Sequence, residues 1–193
     1  FAYYNGHGYE IGWDDPSFIV NDIQYLNNTS KYPLMIGNCC ITNQFESTTC
    51  FGEALLRVAN KGAQGYIGGS NDTYWEEDFW WSVGSGSINQ NPTYDQTGPG
   101  AYDGLFHNYD ENFSNWFTSN SAIMVAGNLG VVEANGSANY YTRYYWEIYH
   151  LMGDPSITTY LGIPEINIVN HPQFIALEES SIEISAEPYS YVS

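Results

Sequence analysis

Basic residues are scarce in this sequence, and it has no long apolar run. Four Lys and Arg stand against 22 Asp and Glu, which gives a formal net charge of −18 at pH 7. A surface of that sign repels phosphate backbones, so we expect no nucleic-acid partner. No stretch approaches the roughly 20 apolar residues that cross a bilayer, so we expect no transmembrane segment. The acidity suits an extracellular protein, a cationic substrate or bound calcium.

Cysteine is also scarce, and its count is odd. With three Cys, at least one thiol stays free even if the other two pair. Cys39 and Cys40 are adjacent in the chain and are not expected to bond each other. A free thiol in a chain whose composition suits a secreted protein is the first indication of a nucleophile.

The apolar pattern predicts an α/β fold. Residues 1–4, 32–37 and 65–69 are short apolar runs typical of buried strands. The segments between them, about 15–28 and 51–61, have helical spacing. This strand–helix–strand–helix–strand order implies a parallel sheet covered by helices.

The rest of the chain is predicted to be less regular. We expect loops at 70–81 and 82–100, helices at 101–117 and 139–152, and a last strand at 156–161. From Pro164, short alternating runs predict the start of an antiparallel β-domain. We therefore expect one domain over 1–163 and the beginning of a second over 164–193. Because Phe1 lies inside an apolar run like the middle of a strand, we also expect residues upstream of it.

Two reactive side chains follow the first two predicted strands. His7 and Cys40 lie at these strand ends, and an aromatic, acidic loop follows Gly69 at the third. In parallel sheets, ligands bind at the carboxyl ends of the strands. An imidazole beside a thiol favours the nucleophilic thiolate, and the amides of Gly8 and Cys40 are expected donors to an oxyanion. Alone, however, a His in a Gly turn or a buried Cys is more often structural.

The segments around these residues resemble the gingipain family of cysteine peptidases. Tyr4-Asn5-Gly6-His7-Gly8 is similar to the histidine motif of that family. Ile36-Gly37-Asn38-Cys39-Cys40 is similar to the nucleophile motif of its Lys-specific branch. Cys50-Phe51-Gly52-Glu53 and Tyr74-Trp75-Glu76-Glu77-Asp78 follow as they do in that branch.

The resemblance covers most of residues 1 to about 163, and it implies a fold and an activity. The fold would be a caspase-like parallel sheet flanked by helices, followed by the start of an immunoglobulin-like β-sandwich. The activity would be hydrolysis of peptide bonds after a basic residue through a Cys-His dyad. The family implies Cys40 as the nucleophile, His7 as its partner and Cys39 as a core residue.

The resemblance also implies how the substrate is selected. Asp78 matches the acid of the first pocket in the Lys-specific branch, where it would pair with an ammonium group. Asn5 and Asn38 would add polar contacts, and Tyr74 and Trp75 would wall the alkyl stem. Position 5 is Asn where that branch has Thr, so Arg stays open as an alternative. Without the family, Asp78 is interpreted as one more solvated residue of an acidic run.

The family further implies one structural calcium ion and no catalytic cofactor. The matching ligands are the Phe45 carbonyl oxygen and the Glu53 carboxylate. Because calcium takes six to eight oxygens, the remaining ligands would come from upstream residues and water. Glu53 is also expected in the first turn of a helix, where an acid complements the helix dipole.

Three functions remain open from the sequence. The first is a secreted or bacterial surface endopeptidase that acts on proteins or peptides with Lys, or Arg, at the cleavage site. The second is an outer-membrane, sortase-like transpeptidase of the same family. The third is a non-catalytic, aromatic-rich adhesin. Asp78 with Tyr74 and Trp75 favours the protease, and the presence of both His7 and Cys40 argues against the adhesin.

Overall fold

A computed structural model describes residues 1–46, 49–98, 100–102, 105–106, 110, 112, 114, 116–159, 161, 166–175, 177 and 181–187. The chain divides into two compact units, Phe1–Leu161 and Gly162–Ser193, and each is described by itself. No helix in the described ranges is long and apolar enough to cross a membrane.

The first unit contains two sheets. In chain order, the strands are β1 (Ala2–Asn5), β2 (Gly8–Tyr9), β3 (Gly12–Trp13), β4 (Phe18–Ile19), β5 (Leu34–Asn38), β6 (Gly65–Gly69) and β7 (Tyr149–Gly153). The helices are a 3-10 helix (Val20–Tyr25), α1 (Phe51–Arg57), α2 (Trp75–Ser82), α3 (Tyr94–Thr97), α4 (Asn120–Asn135) and α5 (Tyr140–Ile148). The large sheet has the order β1-β5-β6-β7, and β2-β3-β4 form the small one.

The predicted parallel sheet is confirmed for β1, β5 and β6. β7 then pairs antiparallel with β6 at one edge. All of its residues except Gly153 fall in the segment 139–152, for which the sequence predicts a helix. That prediction is right for α5 and wrong for β7, because the helix ends at Ile148 and the chain turns back along β6.

Successive residues of β5 face opposite sides of the sheet, and each side has its own helices. Leu34 and Ile36 belong to a buried cluster with side chains of α2, α4 and α5. Met35 belongs to a second buried cluster, which contains Phe51 and Leu55 of α1. The sheet is therefore flanked by helices on both faces, which confirms the predicted architecture.

Helix α2 occupies a segment that the sequence predicts to be a loop. It begins at Trp75, and three acids in its first turn complement the positive end of the helix: Glu76, Glu77 and Asp78. The Asp78 N–H donates to the Tyr74 carbonyl at 2.8 Å. The loop prediction is therefore wrong from Trp75 onwards, and Asp78 lies on a helix.

The helix predicted over 15–28 is also wrong. β4 pairs with β3, and the 3-10 helix follows it. The Ile19 N–H donates to the Asp22 carboxylate at 2.9 Å, and this bond starts the short helix. The apolar side chains still face the core, since the ring of Phe18 packs 5.7 Å from that of Trp13.

The longest helix among the described residues, α4, was not predicted, and the described residues of two predicted elements do not form them. α4 begins after Ser119, whose side chain accepts the Ala122 N–H. The described residues between 101 and 117 form no α-helix; there Asn112 accepts the Ser114 N–H at 3.0 Å, a local bond that competes with helix formation. Instead of the strand predicted at 156–161, the described residues form an isolated bridge between Ser119 and Thr158.

The second unit has little regular structure in its described residues. Asn170 and Ser185 form an antiparallel bridge, and the Glu187 N–H donates to Asn167 Oδ1 at 3.1 Å. The start of an immunoglobulin-like domain over 164–193 stays a prediction.

Candidate active site

The ends of β1 and β5 place His7 and Cys40 in neighbouring loops. Asn5 pairs with Asn38 in parallel register, and His7 and Cys40 each lie two residues beyond that pair. Gly8 brings the two loops together, because a Cβ there would lie 2.6 Å from the Cys40 carbonyl oxygen. A residue without a side chain is needed for this close approach of two backbones. The structure thus brings His7, Gly8 and Cys40 to one edge of the sheet.

The His7 turn is fixed through its backbone, while its imidazole is exposed. The His7 carbonyl accepts the Tyr4 hydroxyl at 2.7 Å and the Asp14 N–H at 3.1 Å. The imidazole packs edge-on against the indole of Trp75, with 5.3 Å between ring centroids. The ring therefore stays accessible to a substrate from a turn that is held in place.

Cys39 and Cys40 are adjacent but have opposite surroundings. Cys39 is fully buried, and this burial raises the pKa of its thiol far above the ordinary value. Cys40 is partly exposed, and its sulfur accepts the Thr73 N–H at 3.3 Å. Cys40 is thus accessible to solvent, and Cys39 packs as a core residue.

Asp78 is a buried carboxylate that three hydroxyl groups hold. Its side chain lies on α2 and only 6% of the residue is exposed. Oδ2 accepts the Thr73 hydroxyl at 2.7 Å, and Oδ1 accepts the hydroxyls of Tyr145 at 2.8 Å and Tyr149 at 3.1 Å. The described residues form no salt bridge to it. The interpretation of Asp78 as a solvated surface acid is therefore wrong.

Burial raises the pKa of Asp78 to about 6, although the bonds from Thr73, Tyr145 and Tyr149 lower it. The carboxyl group is thus largely ionised at neutral pH. Burial, and then the charge of Asp78, raises the pKa of Tyr145 and Tyr149, so both phenols stay protonated and donate. A buried negative charge that has hydroxyl donors but no cation favours binding of a cationic group.

Asn38 connects the end of β5 to the helix that carries Asp78. Its amide nitrogen lies 2.8 Å from Asn5 Oδ1, 2.9 Å from the Asp78 carbonyl and 2.6 Å from Ser82 Oγ. The Tyr149 hydroxyl lies close to the Asn38 amide oxygen as well as to Asp78 Oδ1, and its single proton goes to one of them at a time. Since the amide has two N–H groups for three acceptors, it cannot donate fully to all of them at once. Asn38 is buried and contacts the Asp78 backbone, whereas Asn5 is exposed and contacts Asn38.

Tyr74 and Trp75 lie one helical turn before Asp78, at the start of α2. Both are exposed, with 42% and 66% of their surface accessible. The Tyr74 N–H donates to the Tyr145 hydroxyl at 2.8 Å. The two predicted wall residues are therefore exposed one helical turn from Asp78, and their contact with a substrate stays a prediction.

The two predicted calcium ligands do not by themselves fit the ion. Phe45 is exposed and its ring packs 5.2 Å from that of His150, while Glu53 pairs with Arg57 at 2.8 Å. One carbonyl and one carboxylate supply fewer oxygens than calcium takes. Over the described ranges, no group of three or more His, Cys, Asp or Glu is placed to hold a metal.

Sequence reasoning missed three residues that contact the predicted ones: Thr73, Tyr145 and Tyr149. Thr73 binds both Cys40 and Asp78, but a single Thr in a polar loop gives no signal. Tyr145 and Tyr149 are four residues apart, and this spacing on a predicted helix places them on one face. That periodicity was the available signal, although Tyr149 itself lies at the start of β7.

Comparison with known proteins relates this chain to a family of peptidases. The model of peptidase family C25 matches residues 1–160. Lys-gingipain and Lys-gingipain 381 of Porphyromonas gingivalis are each 40% identical to the chain over 197 residues. These matches cover 100% of the chain and 11% of each relative, so the chain spans about a tenth of the length of the curated relatives it matches.

Two solved structures show the same fold. One, described only as a protease, has a TM-score of 0.83 and 38% identity, over 95% of this chain and 41% of its own. The Arg-specific cysteine proteinase gingipain R has a TM-score of 0.74 and 20% identity, over 96% of this chain and 39% of its own. At that lower identity, the likeness shows the fold alone.

Proposed function

This chain belongs to peptidase family C25, and from that premise we propose that it carries the catalytic pair of a cysteine endopeptidase that cleaves after Lys. One observation carries the proposal. A buried carboxylate without a cation, Asp78, is joined through a single residue, Thr73, to the sulfur of Cys40. A site of this kind can hold a positive side chain at a fixed place beside a nucleophile.

Cys40 and His7 divide the chemistry between them. The Cys40 thiolate attacks the carbonyl carbon, and the carbonyl oxygen becomes an oxyanion that the N–H groups of Gly8 and Cys40 stabilise. His7, protonated, gives its proton to the leaving amine as the peptide bond breaks and an acyl-enzyme forms. Neutral His7 then takes a proton from water, whose oxygen attacks the thioester; the carboxylic acid leaves, and the Cys40 thiolate and protonated His7 are restored.

The donors around Asp78 favour Lys over Arg. An ionised carboxylate has about four acceptor positions, and two of those on Oδ1 and one on Oδ2 are filled by hydroxyls. While Tyr149 donates to Asp78, one position remains, which suits a single N–H of an ammonium group. A guanidinium binds carboxylates best with two parallel bonds, which this arrangement does not offer. The names of the curated relatives agree with Lys.

The finer assignments belong to the same proposal. The sheet order and flanking helices support a caspase-like architecture, and the tail over 164–193 would begin an immunoglobulin-like domain. We expect the protein to be secreted or held at a bacterial surface, as its acidic composition suggests.

Calcium remains part of the proposal as a structural ion. Phe45 and Glu53 would supply two ligands, and the others would come from outside the described residues. Gln44, next to Phe45, supports an ion nearby, because its buried Oε1 has no hydrogen-bond partner in the described part of the chain. Glu53→Gln should then weaken a calcium-dependent rise in melting temperature that magnesium does not produce. Equal melting curves with and without calcium would remove the ion from the proposal.

The decisive experiment compares cleavage of three peptides. The full-length, reduced protein is incubated with fluorogenic peptides that differ only in having Lys, Arg or Ala before the reporter, and Cys40→Ala is the control. We expect cleavage after Lys, little after Arg, none after Ala, and a loss of at least about 10⁴-fold in the control.

Each other outcome has a meaning. Equal cleavage after Arg would keep the mechanism and remove the Lys preference. Transfer of the acyl group to an added amine in place of water would identify the sortase-like transpeptidase. No cleavage of any peptide by a folded protein would favour the adhesin.

A further inference from the structure

Four tyrosines form a continuous surface beside the candidate active site: Tyr74, Tyr140, Tyr141 and Tyr144, called here the tyrosine cluster. The ring of Tyr74 lies 5.1 Å from that of Tyr141 and 5.9 Å from that of Tyr144. Tyr140 stacks on Tyr144, with 5.9 Å between centroids and 19° between planes. Tyr140 is 70% exposed, so at least one face of the cluster is open to solvent.

Helix α5 carries two rows of tyrosines that face different surroundings. Tyr141 and Tyr145 are four residues apart and share one row, and Tyr140 and Tyr144 form the next. The first row leads inward, since the Tyr145 hydroxyl binds Asp78. In the second row, Tyr140 is exposed and the Tyr144 hydroxyl donates to Asp72 rather than to Asp78. Folding of this helix does not require an exposed row of stacked rings. Exposed aromatic patches mark binding surfaces.

The cluster is held in place before any partner arrives. The Tyr144 hydroxyl donates to the Asp72 carbonyl at 2.9 Å, and the Tyr74 N–H donates to the Tyr145 hydroxyl at 2.8 Å. Rings that are fixed in this way lose little freedom on binding.

The cluster also adjoins the catalytic residues. Tyr74 directly precedes Trp75, whose indole contacts His7. Thr73, on its other side, donates its N–H to Cys40. A peptide whose Lys reaches Asp78 therefore passes this surface on one side of the cleaved bond.

The negative charge around the tyrosine cluster favours a cationic ligand. The chain has 22 acidic and four basic residues, and Asp72 lies next to the cluster. Burial, and then the neighbouring Tyr74 and Asp72, raises the pKa of Tyr144 to about 12, so its ring is a neutral phenol at physiological pH. Neutral aromatic faces in a negative field attract cations, and Arg more than Lys because its planar group stacks.

We propose that the tyrosine cluster is a second substrate-binding site, which takes the cationic side chain of a residue that flanks the cleaved Lys. This inference rests on the proposed function, because it treats the cluster as an extension of the Asp78 site. It predicts that the protein prefers substrates with two basic residues close together, one at Asp78 and one, best as Arg, on the cluster.

The test measures binding rather than cleavage, so that the two proposals can fail separately. Full-length Cys40→Ala protein is titrated with labelled peptides that hold one Lys at the cleavage site. A single Arg is placed in turn at each of three positions on either side, and each peptide is compared with its citrulline counterpart, which has the same shape and no charge. At one position or more, we expect Arg to bind about two- to fivefold more tightly than citrulline.

Two variants decide whether the cluster is responsible. Tyr140→Leu keeps an apolar side chain but removes the most exposed ring, and we expect the Arg-to-citrulline ratio to fall to about one. Tyr25→Leu removes an exposed ring on the distant 3-10 helix and should leave the ratio unchanged. Tyr144→Phe keeps the stacked face and should retain most of the preference.

Three results would overturn the inference. A ratio of one at every position would show that no cationic subsite exists. A ratio that persists in Tyr140→Leu would assign the preference to the overall charge of the protein. A third peptide with Phe in place of Arg serves as a further comparison. Tighter binding of this Phe peptide than of the Arg peptide, lost in Tyr140→Leu, would identify an apolar subsite. If these peptides bind as expected and the wild-type protein cleaves none of them, the proposed function alone fails.

Discussion

The two ends of the candidate active site, around Asp78 and around His7 and Cys40, differ in burial and in hydrogen bonding. At the pocket end, Asp78 is buried and accepts three hydroxyls from three parts of the chain. At the reactive end, His7 is exposed, Cys40 is partly exposed, and Thr73 supplies the N–H that reaches the sulfur. The Asp78 carboxylate is thus fixed by folding, whereas His7 and Cys40 keep access to solvent. Under the proposed function, a substrate would be positioned at one end while bonds rearrange at the other.

Replacing the pocket acid should produce the largest difference between the two ends. Asp78→Asn keeps the shape and removes the charge that would meet the Lys ammonium. Loss of one partner of a buried charge pair costs about 2–5 kcal/mol, so we expect kcat/KM for Lys peptides to fall about 30- to 5,000-fold. Alkylation of Cys40 by iodoacetamide, which needs no pocket, should change less than about threefold. Equal losses in both assays would show that the two ends are not separate.

Changing the pH should separate the ends without any substitution at the nucleophile. The pKa of Asp78, about 6, means that about a tenth of it is ionised at pH 5 and most of it at pH 7. Competitive inhibition by butylamine, which needs the ionised pocket but no attack by Cys40, should therefore strengthen about tenfold over that range. Asp78→Asn should make the inhibition weak and independent of pH.

The same titration has a consequence for stability. The folded-state pKa of Asp78 is raised above its ordinary value of 3.8, so the native state binds this proton more tightly than the unfolded state does. Its contribution to stability is full below about pH 4 and is lost as the pH rises through about 6. Urea unfolding of Asp78→Asn should lack this decline. A wild-type protein whose stability rises through this window at the same rate as the variant would contradict the raised pKa.

Thr73 connects the two ends, and its hydroxyl can be removed while its N–H stays. Thr73→Val leaves the donor to Cys40 in place but deprives Asp78 of one bond. Because that bond favours the ionised acid, the pH midpoint for butylamine should move upward, and KM for Lys peptides at pH 7 should rise about three- to tenfold. Thr73→Ser should restore both quantities. A variant that changes kcat with no shift in the midpoint would place the role of Thr73 elsewhere.

The smallest effect on activity is expected at the other cysteine. Cys39→Ala leaves a small cavity in the core and should lower the free energy of unfolding by about 1 kcal/mol. Activity should stay within about twofold of the wild type, in contrast to Cys40→Ala. Loss of activity in a folded Cys39→Ala protein would exchange the roles of the two thiols.

The parts of the fold that the sequence predicted well are the strands that bring the reactive residues together. β1, β5 and β6 are apolar runs, and their parallel order was inferred from helices between them, although only the connection from β5 to β6 contains an α-helix in the structure. α4 escaped prediction because its apolar, Gly-containing sequence has no polar face, since much of it is buried against α2 and β7. β7 escaped because its residues continue the aromatic pattern of α5, and only pairing with β6 ends that helix.

The candidate site, like the fold, was predicted from the sequence only in part. His7 and Cys40 could be proposed from their strand ends, and the Asp78 role came from the family resemblance. The surroundings of Asp78 could not be read from its neighbours in sequence, because two of its three donors lie 67 and 71 residues further along the chain. Whether an acid in a run of three is solvated or buried depends on contacts of that range.

The distance in sequence between Asp78 and its tyrosines also sets an order in time. A ribosome makes β1, β5 and β6 first, so the histidine and cysteine loops can meet while α5 and β7 are still unsynthesised. Only when Tyr145 and Tyr149 emerge and dock does the pocket acid gain its last two donors. Under the proposed function, a growing chain would thus bring its reactive groups together before it could recognise Lys.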